Sequence, residues 1–299
     1  MRTTEIVVLG GAGMLGHKMF QILRDRHPGT VATVREDLQS SPFDRVDLLQ
    51  GGDVLKGVDV TDLDALRRLL RELAPRVVLN CVGIIKQRDE ARLAAPSIMI
   101  NALLPHKLAE WAGEWGGQVI HFSTDCVFSG RRGAYRETDL SDAEDLYGKS
   151  KFLGEIAGPN ALTLRTSIIG RELVEHRSLL DWFLAQRGRR VRGFRRVIYS
   201  GVTTNYLSRV VSLLLTGPSL PTGLYQVTST PISKHELLML LKSAYQLNVE
   251  IVPDDGEVSD RSMVGDRFAE ATGIRTPAWP ELVQELASDP TPYDRWLAP

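Results

Sequence analysis

Short apolar runs alternate along the chain with longer stretches in which apolar side chains recur every three or four positions. Residues 6–9, 30–34, 54–60, 76–83, 118–122 and 162–167 read as short buried strands. Between them lie helical patterns. Met19, Phe20, Ile22 and Leu23 share one face, as do Leu63, Leu66, Leu69, Leu70 and Leu73, and two more helices are predicted over 101–115 and 147–157. Strand and helix in strict succession predict an α/β fold with a doubly wound parallel sheet. Past Gly170 the alternation breaks. A helix through Leu215 follows Thr203-Thr204-Asn205, then come a strand over 225–228, a helix over 233–245 and a strand over 249–252. The tail, with Pro277, Pro280, Pro290 and Pro292, wraps rather than founding a new domain.

The turns add chemistry to this pattern. Directly after the first strand stand Gly10, Gly13 and Gly16, with Met14 and Leu15 opening the helix. A turn without side chains lets backbone N–H groups and a helix N-terminus approach a pyrophosphate. The spacing is GxxGxxG rather than GxGxxG, but its place between strand and helix favours dinucleotide binding. At the tip of the second strand, Arg35 suits a ribose 2′-phosphate and favours NADP(H) over NAD(H), while Glu36 and Asp37 could serve a free 2′-hydroxyl instead. Asp59 and Val60 leave the third strand where an adenine ring would lie, ahead of a capping box at Thr61 and Asp64. Cys81, Val82 and Gly83 give the fourth strand a small-residue exit past which a cofactor backbone can run, with Cys81 read as packing. Asn101 is either a helix cap or the anchor of a proton-relay water.

Composition removes whole classes of function. Among 299 residues the charged fraction is 24% and the net charge −1, so nothing draws the chain towards nucleic acid or an anionic membrane. Cys81 and Cys126 make no disulfide framework and suit a reducing compartment. With no long apolar run and no signal-like N-terminus, a cytoplasmic protein is expected.

The densest chemistry lies between His121 and Glu155. Tyr147 and Lys151 stand at i and i+4 on a predicted helix, where an ammonium beside a phenol would lower the phenol's pKa. The strand over 118–122 delivers Ser123 and Thr124 at its C-terminal end, where a hydroxyl can bond a carbonyl oxygen that Tyr147 protonates. Arg187, Arg189, Arg190, Arg192, Arg195 and Arg196 crowd the second half. They read as solvated surface, as a subunit contact in a homodimer, or as a site where Arg192 and Arg195 hold a substrate diphosphate.

These residues carry a family resemblance. GGAGMLG, Asp59-Val60, Asn80-x-x-Gly83, Asn101, HFSTDCVFSG, Glu137-Thr138-Asp139, YGKSKFLGE, LRTSIIG and Gly223-Leu224-Tyr225 resemble the extended short-chain dehydrogenase/reductases, in the dTDP-4-dehydrorhamnose reductase branch. The resemblance implies a Rossmann-type domain over 1–170 and a smaller, interleaved substrate lobe over 171–299, from which 197–228 return to the first domain. It implies Thr124, Tyr147 and Lys151 as the catalytic set, Lys151 also touching the cofactor, with Ser123 and Asp125 near the substrate. The implied activity is reduction of the 4-keto group of a nucleotide-linked 6-deoxy sugar, as in dTDP-rhamnose biosynthesis. The chain departs from the branch at Cys126, where an aromatic is usual, at Ile84-Ile85-Lys86-Gln87, and at Asp260-Arg261-Ser262 in place of an Arg-Pro pair.

Two other functions fit the same fold. A nucleotide-sugar epimerase or dehydratase would use the same core, but dehydratases carry Asp-Glu after the catalytic Ser/Thr, and here Cys126 follows Asp125. A regulatory subunit of methionine adenosyltransferase also resembles this branch, so a non-catalytic, NADP-binding role is the remaining alternative.

Overall fold

The computed structural model describes residues 4–36, 41–85, 93–174 and 177–297. Asp37, Lys86 and Gln87, singled out above, lie outside the described residues. Seven strands form one parallel sheet in the order β10-β6-β5-β4-β1-β2-β3. They are β1 (Ile6–Leu9), β2 (Thr30–Thr33), β3 (Val54–Leu55), β4 (Val77–Asn80), β5 (Gln118–Thr124), β6 (Ala161–Thr166) and β10 (Gly223–Gln226). The order reverses at β1, which opens a crevice beyond the strand ends between β1 and β4.

Both faces of this sheet are covered, which is why its strands read as continuous apolar runs. Ile6 and Val8 point into one core with Met19 and Phe20 of α1 (Met14–Arg26) and Leu207 of α7 (Thr204–Thr216). Val7 and Leu9 point into the other. There they meet Leu66 and Leu70 of α2 (Leu63–Leu73) and Leu108 and Trp111 of α4 (Leu104–Glu114). A second sheet, in the order β11-β8-β12, joins β8 (Arg190–Tyr199), β11 (Ile232–Ser233) and β12 (Glu250–Asp260). Beside it runs α8 (Lys234–Ala244), begun by a capping box between Ser233 and Glu236.

Four expectations need correction. The third strand pairs only over Val54–Leu55, because Asp59 turns its carboxylate onto the N–H and hydroxyl of Thr61. Asp62, not Thr61, caps α2, by accepting from Ala65 N–H. Asn101 does not open a helix. It sits within a π-helical segment, Ile98–Leu103, that joins α3 (Ala94–Ser97) to α4. Most of the arginine-rich run is ordered as β8, where Arg190, Arg192 and Arg195 pair with Glu250, Asp254 and Asp255 of β12.

The tail packs α10 (Trp279–Ala287) against α7 and α8, then returns to α1 at Asp289, Thr291 and Tyr293, the last opening α11 (Tyr293–Leu297). Lys18, almost fully buried, pairs with Asp289 at 2.6 Å and donates to Thr291 at 2.8 Å. His17 is wholly buried beside it, and burial depresses its pKa from 6.5 to about 3. The carbonyl of Gly13 can only accept, so Nδ1 of His17 carries the proton at 2.9 Å and Nε2 accepts from the Tyr293 hydroxyl at 2.8 Å. A base whose folded pKa is lowered contributes stability above its unfolded pKa and loses it as pH falls towards the folded value. Unfolding in urea should therefore cost less as pH drops from 6.5 towards 3. The shallower slope expected of His17→Gln differs by about 1.4 kcal/mol per pH unit. Parallel curves for the two proteins would refute a neutral, buried His17.

Candidate active site

The crevice beyond β1 and β4 continues as a cavity of about 790 Å³. One end is walled by Gly13, Met14, Leu15, Arg35, Cys81, Val82 and Gly83, the middle by Ser123, Thr124, Tyr147 and Lys151, and the far end by Tyr199, Lys234 and Arg261. It thus brings together the catalytic set and most of the expected cofactor residues. Gly10 and Gly16 shape the turn from behind. Gly10 holds φ +80°, and a Cβ on Gly16 would come within 2.0 Å of the Gly10 carbonyl, so only glycine lets α1 sit this close. No side chain caps α1 and no acid occupies its first turn, which leaves its N-terminus open to an anion. These features fit a dinucleotide pyrophosphate. Arg35 is exposed and contacts Glu36 at 3.3 Å. Asp59 and Val60 are outside the cavity wall, although Asp59 lies within the field of Arg35.

Helix α5 (Leu146–Leu153) presents Tyr147 and Lys151 one turn apart. Its N-cap is Asp145, which accepts from Gly148 N–H at 2.9 Å. Glycines let it press inward, since a Cβ on Gly148 would meet the Cys126 carbonyl at 2.2 Å, and one on Gly154 the Asn101 carbonyl at 1.9 Å. By its contacts Asn101 is a tie between backbone and helix rather than a cap. Its Oδ1 accepts from Ile84 N–H at 2.9 Å, and its Nδ2 donates to the Ile84 carbonyl at 3.0 Å and to Ser150 Oγ at 3.2 Å. It ties the exit of β4 to α5, from a π-helical turn of the sort that often marks functional sites.

The titration of Tyr147 runs opposite to expectation. Burial pushes the phenol upward, the neighbouring Cys126 adds to the rise, and a hydrogen bond with Thr124 opposes it. Proximity of an ammonium predicted a fall, but Lys151 Nζ donates to the Phe122 carbonyl at 2.7 Å, and desolvation decides. Burial also lowers Lys151, to about 8, against the attraction of Glu155. Asp125 is raised by burial, with Arg261 opposing, and Cys126 is pushed up to about 12, again chiefly by burial. Thr124 donates to Asp125 at 3.1 Å and accepts from Cys126 N–H at 3.1 Å.

Arg192 and Arg195 stand elsewhere. Both are exposed on β8, paired with Asp254 and Asp255, and neither lines the cavity. Arg261 and Lys234 do line it, and both act on Asp125. Sequence reading passed over a buried ion pair as well. Arg165 on β6 forks onto Glu155 at 2.8 and 2.6 Å, and Ser123 Oγ donates to the same carboxylate at 2.6 Å. The signal was available, because Glu155 lies one helical turn beyond Lys151 and close to a strand carrying an inward arginine.

Residues 4–182 match the family described as RmlD substrate binding domain. The chain is 25% identical over 303 residues to the spore coat polysaccharide biosynthesis protein SpsK of Bacillus subtilis (strain 168), covering 96% of this chain and 98% of that protein. It is 26% identical over 244 residues to a dTDP-4-dehydrorhamnose reductase of Aggregatibacter actinomycetemcomitans, covering 76% and 74%. Among solved structures, dTDP-4-dehydrorhamnose reductase from Bacillus anthracis str. Ames in complex with NADP superposes with a TM-score of 0.76 at 18% identity, over 95% of this chain and 98% of that one, a likeness of fold.

The ion pair sets a stability test. Glu155→Gln leaves a buried guanidinium without its counter-charge and should cost about 3–5 kcal/mol, whereas Glu155→Met with Arg165→Met should cost less than that single change. Chemical denaturation measures both, and a loss below about 1 kcal/mol for Glu155→Gln would show the pair to be dispensable.

Proposed function

The chain belongs to the RmlD substrate binding domain family, and on that premise we propose that it reduces the 4-keto group of a nucleotide-linked 6-deoxy sugar with a nicotinamide dinucleotide. The observation that carries this reading is one continuous cavity holding an open helix N-terminus, Thr124, Tyr147 and Lys151. A reduced nicotinamide would supply the hydride when bound. Gly13, Met14 and Leu15 would hold its pyrophosphate, and Cys81, Val82 and Gly83 offer the narrow wall its backbone passes. Arg35 at the cavity's edge supports NADP(H) over NAD(H).

Tyr147 is the proton donor to the carbonyl oxygen, and its raised pKa keeps the proton on the phenol until charge develops there. Thr124 steadies the same oxygen by turning its hydroxyl proton from Asp125 to the substrate. Lys151 is fixed by the Phe122 carbonyl one turn after Tyr147 and lines the same cavity. Ser123 acts indirectly, since its hydroxyl is spent on Glu155. The neighbour of Asp125 is a neutral thiol rather than a second carboxylic acid, which argues against water elimination.

Nicotinamide oxidation, followed by absorbance with a panel of nucleotide-linked 4-keto sugars and with NADPH and NADH in turn, tests the reading directly. Tyr147→Phe should lower turnover by about 10²–10⁴-fold and leave NADPH affinity nearly unchanged. Wild-type turnover in that variant would remove Tyr147 from the chemistry.

Arg261 and Lys234 are the cations proposed to meet the substrate's diphosphate. Arg261→Gln should raise KM for the sugar nucleotide by about 10–100-fold, the loss of a charge-assisted hydrogen bond. Arg192→Gln and Arg195→Gln should not move it. Steady-state kinetics that find the reverse order would return the diphosphate to β8.

A further inference from the structure

Asn80 closes β4, and His121 lies opposite it in register on β5. The Asn80 side chain has only one possible orientation. A backbone N–H can only donate, and Val82 N–H lies 3.2 Å from Oδ1, so the amide oxygen faces Val82 and Nδ2 faces the His121 ring. Nδ1 of His121, 3.1 Å from Nδ2, must therefore accept. In a neutral imidazole the one ring proton is then on Nε2. The ring is wholly buried, and burial, with repulsion from Lys151 and His106, holds its pKa well below 6.5, so it is neutral near neutral pH.

Nε2 stands 3.4 Å from Lys151 Nζ. An ammonium has three hydrogens and no lone pair, so it would meet Nε2–H donor against donor. A neutral amine accepts from Nε2–H with its lone pair and still donates to the Phe122 carbonyl at 2.7 Å. The other groups acting on Lys151 are Glu155 and Cys81, both favouring the charged form. Glu155 is already engaged by Arg165, and Tyr147 lies one turn back on the same helix.

From this geometry we infer that His121, oriented by Asn80, sets the protonation state of Lys151 by offering it a hydrogen-bond donor where a cation needs an acceptor. The functional weight of this rests on the reading of Lys151 as partner of Tyr147, but the contact does not. His121 and Asn80 are positioning residues, since neither touches the reacting atoms. Burial already lowers Lys151 to about 8, and the Nε2–H donor of His121 acts in the same direction, so Lys151 exchanges its proton within the working range of the site instead of remaining a permanent cation. Reversing the tautomer, with Nδ1–H and a bare Nε2, would make His121 an acceptor and restore the ammonium.

The test reads Lys151 itself. Competitive acetylation of the full chain across pH, quantified by mass spectrometry of the peptide carrying Lys151, gives the titration midpoint without any turnover. His121→Gln can turn its amide oxygen to Nζ, so the midpoint should rise by at least about one pH unit, which is roughly fivefold less labelling at the wild-type midpoint and about tenfold less well below it. Asn80→Asp keeps the acceptor for Val82 N–H and draws the ring proton to Nδ1, so it should move the midpoint the same way with His121 intact. The alkaline limb of the kcat profile should follow both shifts, which loss of fold or packing alone would not produce. A wild-type midpoint in both variants overturns the inference. Turnover by wild type with unmoved midpoints would sink only this inference, whereas shifted midpoints with no turnover on any keto sugar would support it and count against the reductase reading alone.

Discussion

A guanidinium on a central strand and a carboxylate at the foot of a helix, both withdrawn from water, cannot separate without leaving a bare charge in the core. Arg165 and Glu155 are so placed, with side chains about 1% and 8% exposed. The desolvation of both ions is offset only while the two-point fork holds. Because Glu155 follows α5 and also receives the Ser123 hydroxyl, the fork fixes the helix bearing Tyr147 and Lys151 against the strand end bearing Ser123 and Thr124. Pairs of this kind add little net stability but exclude other arrangements. A few tenths of an ångström matter where a proton is to pass between a phenol and a substrate oxygen.

Steric constraints act in the same direction. Gly148 and Gly154 bring α5 against the Cys126 and Asn101 carbonyls at distances no Cβ would allow. From the π-helical turn at Ile98–Leu103 the Asn101 amide meets the backbone of Ile84 and pairs both its N–H and its carbonyl. The strand exit that walls the cofactor side and the helix that walls the catalytic side are therefore joined through one side chain. The tail adds a third tie, from Tyr293 through His17 to the Gly13 carbonyl at the start of α1.

The parallel sheet was legible because both of its faces are buried, and burial writes itself as uninterrupted Val, Ile and Leu in β1 and β4. The glycine turn and the Tyr147/Lys151 spacing were legible because local geometry forces particular residues to particular intervals. What escaped was everything that depends on partners remote in sequence. The direction of the Tyr147 shift required knowing how deeply the phenol is desolvated, which a spacing cannot tell. The arginines of β8 looked available for a diphosphate because their acids lie some sixty positions later, on β12. Asn101 reads in sequence as a cap or a water anchor, and the π-turn that holds it has no sequence signature of its own. His121 looked like one more residue of a buried strand until Asn80, forty-one positions earlier, fixed its tautomer.

The charge layout of the cavity bears on which direction of chemistry it serves. Around Thr124 lie three acids, Tyr147, Asp125 and Cys126, and burial biases every one of them towards its protonated form. The base among them, Lys151, is biased the other way, towards the amine. A site in which acids hold their protons stabilises a reacting oxygen as it gains negative charge, because each acid can donate a hydrogen bond or a proton at that moment. Addition of hydride to a carbonyl makes such an oxygen. The bias of these four residues therefore supports the reduction proposed above.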